Sequence, residues 1–65
     1  MTTAQNITDA QIEALMLETS AAGDLVMVAM CRVALGLALF PRHGDVASAR
    51  EYCADVISAA ESMSA

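Results

Sequence analysis

The sequence predicts an all-α chain, a three-helix unit assembled into a homodimeric helical bundle. Two observations carry the helices. Apolar residues recur three and four apart in three segments, each opened by a capping residue, with glycine or proline between them. No stretch alternates apolar and polar residues as a half-buried strand does. A third observation carries the assembly. Leu25 to Phe40 (LVMVAMCRVALGLALF) runs sixteen residues with one charge, Arg32. A helix apolar on every side must be buried on every side, and only 65 residues are present to bury it. Domains of this size hide only about 60% of the surface their unfolded chain exposes. Apolar residues make up 57% of the chain, and a second copy is the expected cover for the surplus.

Residues 1–7 read as a flexible N-terminal tail and residues 8–65 as a single helical domain. Thr8 is the expected N-cap of the first helix, with Gln11 three residues on completing a capping box. Asp9 adds negative charge to the first turn, where the helix dipole favours it. Ile7 and Ile12 flank the cap as a hydrophobic staple. The helix is expected from Asp9 to Ala22, with Ile12, Leu15, Met16 and Thr19 inward, Glu13 and Glu18 outward, and Leu17 off the apolar face. Ala22-Gly23-Asp24 then forms a tight corner: Gly23 takes the left-handed C-cap and Asp24 caps the next helix.

The second helix is expected from Leu25 to Leu39. Its inward stripe is Val26, Met30, Val33 and Leu37. Leu25, Val28, Leu35 and Leu39 lie on the other side around Arg32 and Gly36. Pro41 stops it, and FPRHG (40–44) forms the loop. Asp45 caps a third helix from Val46 to Met63. The inward face there is Val46, Ala49, Cys53, Val56, Ile57, Ala60 and Met63, with Tyr52 at the edge. Glu51, Asp55, Ser58 and Ser62 face away.

Eight acids stand against three arginines and no lysine, a net charge of -5. Nucleic-acid binding draws its affinity from neutralised phosphates. Arg32, Arg42 and Arg50 build no basic stripe, and Phe40 and Tyr52 build no stacking platform, so nucleic acid is disfavoured as a partner. Anionic membrane surfaces are disfavoured on the same ground. As a helix the apolar run spans about 24 Å, short of a hydrocarbon core of roughly 30 Å, and Arg32 lies in its middle. The N-terminus MTTAQNITD has neither a basic segment nor an apolar run, so no secretory signal is expected and a cytoplasmic location is the default.

Little in the chain points to chemistry. No phosphate-binding glycine loop, zinc spacing or nucleophile elbow occurs. His43, the lone histidine, has no partner set beside it. Cys31 and Cys53 are expected as buried thiols, with a disulfide as the alternative if their helices bring them face to face. No catalytic residue, metal or cofactor is expected, and the chain reads as no enzyme. Arg32 either marks a solvent-facing strip of the second helix or is paired across an interface. The interface candidates are Leu17, Leu25, Val28, Arg32, Leu35 and Leu39.

Several segments together carry a resemblance: TDAQIEAL (8–15), AAGD (21–24), a helix holding Cys31 and Ala34-Leu35, and AREYCADVISAAES (49–62). The chain resembles short helical proteins encoded in bacterial phages and mobile elements, over roughly Thr8 to Ser62. It departs from them in its very apolar second helix. The resemblance implies a small accessory protein and supplies no catalytic residues. The expected role is a non-enzymatic protein-binding module that inhibits a host protein, an anti-CRISPR protein being one such case. The alternatives are a dimeric helical-bundle nucleic-acid regulator and a small membrane-active protein.

Overall fold

The computed structural model describes residues 6–38 and 46–64, and over these the chain is helix, turn and bend. Three helices follow in order: α1 (Asp9–Ala21), α2 (Leu25–Ala34) and α3 (Val46–Ser64). α2 packs against both neighbours, while α1 and α3 touch each other only sparingly. The apolar helix is thus the central one.

The start of α1 follows the capping logic of the sequence. Thr8 N–H donates to Gln11 Oε1 at 2.8 Å, and Gln11 N–H donates to Thr8 Oγ1 at 3.2 Å. Each side chain satisfies a backbone donor that the first turn leaves without a helical partner. Ile7 and Ile12 sit on either side of this box and are both buried in the core. Ile7, the last residue of the expected tail, therefore belongs to the packed unit.

The C-terminal ends of α1 and α2 use the same device. At the end of α1, Gly23 takes φ +79, its N–H donates to Ser20 O at 3.1 Å, and Asp24 N–H donates to Thr19 O at 2.9 Å. At the end of α2, Gly36 takes φ +75, its N–H donates to Val33 O at 2.9 Å, and Leu37 N–H donates to Arg32 O at 2.8 Å. This pair of bonds is the Schellman motif, in which a left-handed residue turns the chain back over the last carbonyls. Asp24 also opens α2, accepting from Met27 N–H through Oδ1 at 3.1 Å.

The second motif corrects the expected second helix. It ends at Ala34, not Leu39, and Gly36 rather than Pro41 ends it. Nothing lies within 4 Å of where a Gly36 Cβ would stand, so the glycine serves the turn and not a close packing contact. Leu39, the Phe40–Gly44 loop and the Asp45 cap lie outside the described residues.

The inward stripe of α2 is also rotated from expectation. Met27, Cys31, Val33 and Ala34 are buried, while Val26 and Leu37 are 70% and 68% exposed. Between α2 and α3 the buried residues are mostly small. Cys31 and Ala34 lie inside together with Ala49, Cys53 and Ala54 of α3. Small side chains let helix axes approach closely; Val33 and the half-buried Met30 keep the middle of the expected stripe, and Val26 and Leu37 at its two ends leave it. On α3, Ala49 and Cys53 are buried and Val56 and Ile57 half-buried, as expected, but Val46, Ala60 and Met63 are exposed and Ser58 is half-buried.

Arg50 ties the three helices together. Its Nη1 donates to Asp9 Oδ1 at 2.8 Å and to Ala34 O at 3.4 Å, and its Nη2 donates to Ile7 O at 2.8 Å. One guanidinium on α3 thus reaches the first turn of α1, the chain entering it, and a terminal carbonyl of α2. The planar fork of arginine suits this divergent set of acceptors.

Candidate functional site

Because α1 and α3 touch so little, a groove of about 820 Å³ opens between them. Its α1 wall is Gln11, Ala14, Leu15, Glu18, Thr19 and Ala22; its α3 wall is Val56, Ile57, Ala60 and Glu61; Asp24 joins from the corner. The α1 residues recur three and four apart over three turns. At 1.5 Å per residue this wall is about 16 Å long.

Leu15, Val56 and Ile57 are half-buried and give the groove its apolar floor. Ala14, Ala22 and Ala60 are exposed and keep its edges low. Its uncharged polar side chains have internal partners. Gln11 Oε1 serves the capping box, and Thr19 Oγ1 donates to Met16 O at 3.1 Å. The charged residues lining it, Glu18, Asp24 and Glu61, are all acids and all exposed.

The other reactive side chains do not reach this groove. Cys31 and Cys53 are free thiols, both fully buried. Burial foremost, then the neighbouring Cys53, pushes Cys31 from its ordinary 9.0 up to about 12. Burial also raises Cys53, against the opposing pull of its hydrogen bond with Cys31 and of Arg50. Thiols so held are protonated at neutral pH and poor nucleophiles. They act here as the small apolar residues that let α2 and α3 close. His43 lies outside the described residues.

The expected interface residues fall elsewhere. Leu17 on α1 and Leu25 at the start of α2 are 71% and 77% exposed, and Arg32 is exposed on α2. Val28 is half-buried, and Leu35 is half-buried against the core, so neither offers much surface. Leu39 lies outside the described residues. None of these six lines the groove. Sequence reasoning placed Leu15, Val56 and Ile57 in a closed core and so missed it. No local signal marks it, because Leu15, Val56 and Ile57 keep the period of an ordinary inward face.

No family model, curated protein or solved structure matches the chain. Among the described residues, no helix is long and apolar enough to cross a membrane. The sixteen-residue run is broken at Gly36, leaving α2 only ten residues.

Proposed function

We propose that this chain is a small non-enzymatic protein-binding module, an accessory regulator of the kind carried by phages and mobile elements. It inhibits a host protein, such as a CRISPR defence component, by occupying one of its segments. The α1–α3 groove is the observation that carries this reading. Its walls are two helices, its floor is apolar, and its uncharged polar groups have internal partners. A helix laid into such a groove buries apolar area from anchors at i, i+3, i+4 and i+7. A nucleic-acid regulator is less well supported, because Arg50 is engaged within the fold and the groove is lined by acids.

Two copies associate, in this proposal, through the exposed start of α2. Leu25 and Val26 stand side by side there, 77% and 70% exposed. This surface is separate from the groove lining.

A capture experiment in a bacterial host tests the module. The wild-type chain should retain a defined protein that Ala14→Arg, which fills the groove at an exposed position, does not retain. A partner held equally by both chains places recognition outside the groove.

A further inference from the structure

We infer that the occupant of the α1–α3 groove is a cationic amphipathic helix, with leucine-like anchors on one face and lysine or arginine beside them. The inference rests on the protein-binding reading above and deepens it. Three features of the groove select this occupant.

The first is shape. The α1 wall presents its residues three and four apart over about 16 Å, a ridge matched by the side-chain rows of another helix. Ala14 and Ala60 at the edges let that helix come close. The second is the floor. Leu15, Val56 and Ile57 are half-buried by the fold itself, and an apolar face laid on them would remove the rest from water.

The third is charge, which decides among partners. Glu18, Asp24 and Glu61 line the groove, and no described cation does. A second copy set groove to groove would bring three carboxylates from each chain together, and like charges at an interface are strongly disfavoured. Nucleic acid and anionic bilayers meet the same repulsion. A helix with basic residues flanking its anchors turns that repulsion into attraction and into faster association. The whole chain, at -5, supports the same steering.

Two synthetic helical peptides of about 15 residues test this against the full chain. Both carry leucine at i, i+3, i+4 and i+7; one has lysine at the remaining positions and the other glutamate. Binding is read by fluorescence anisotropy, and its place by backbone amide shifts. The lysine peptide should bind about tenfold or more tighter than the glutamate peptide, shift Ala14, Leu15 and Ile57, and weaken as salt rises. Glu18→Lys/Glu61→Lys should reverse the preference. Glu51→Lys/Asp55→Lys changes net charge equally at exposed positions outside the groove and should leave the preference in place. If neither peptide perturbs the groove, the groove reading itself falls. If both bind there equally, the groove stands and the cationic partner is overturned. If the two double variants weaken the lysine peptide alike, the attraction belongs to the acidic surface at large and the inference is overturned.

Discussion

At Gly36 the backbone sits at φ +75, a conformation that costs an L-residue roughly 1–2 kcal/mol. No atom lies where a Cβ would go, so that backbone cost is the whole penalty of a side chain there. Gly36→Ala should lower stability by about 1 kcal/mol, and Gly36→Asn by less, since asparagine tolerates the left-handed region. Urea denaturation reads the difference, and equal midpoints for wild type and Gly36→Ala would remove the motif as the end of α2. The thiol pair makes a second prediction at this scale. Burial holds Cys31 near 12 in the folded chain, whereas in the unfolded chain it returns to its ordinary 9.0. Between these values the folded state keeps protons that the unfolded state has released, so stability falls as pH rises. Melting temperature should decline from about pH 9 towards 11, and Cys31→Ala/Cys53→Ala should flatten that decline. An unchanged slope would show that other groups cause it.

Between elements, Arg50 is the tie. Its hydrogen bonds to Ile7 O and Ala34 O are charge-assisted and join chain segments far apart in sequence. Arg50→Ala should cost about 1.5–3 kcal/mol. Arg50→Lys should recover only part of this, because a point charge cannot fork to three acceptors. Asp9 is 73% exposed at its side chain, so Asp9→Asn should cost no more than about 1 kcal/mol. If Asp9→Asn proves as damaging as Arg50→Ala, the ion pair and not the carbonyl contacts is what matters. None of this was legible in the sequence, where Arg50 is one arginine among three. What was legible is local: the Thr8–Gln11 box, the Gly23–Asp24 corner and the inward face of α1 all depend on residues within one or two turns of each other. The face of α2 depends on how closely its neighbours approach, which small residues on all sides decide together. Reading Val26 and Leu37 as inward failed for that reason. The groove was hidden by the same limit, because periodicity marks Leu15, Val56 and Ile57 as apolar-facing without saying whether the helices that carry them meet.

For the whole molecule, the proposed self-association is testable at exposed positions of α2. Leu35, one of the interface candidates, packs against the core, so a charge there would damage the fold as well as any interface. Leu25 and Val26 are the better probes, being adjacent, large, apolar and exposed. Single exposed leucines are ordinary; the proposed contact rests on two such residues in succession, Leu25 and Val26. Light scattering of the wild-type chain should report twice its 6.8 kDa mass, and Leu25→Gln/Val26→Gln, which leaves the net charge unchanged, should report the monomer with unchanged helical circular dichroism. A wild type that stays monomeric at high concentration overturns the dimer. Neither residue lines the groove, so the same double variant should bind the lysine peptide as wild type does. A dimer lost together with peptide binding would mean that the two surfaces are one, and that the second copy holds the groove open.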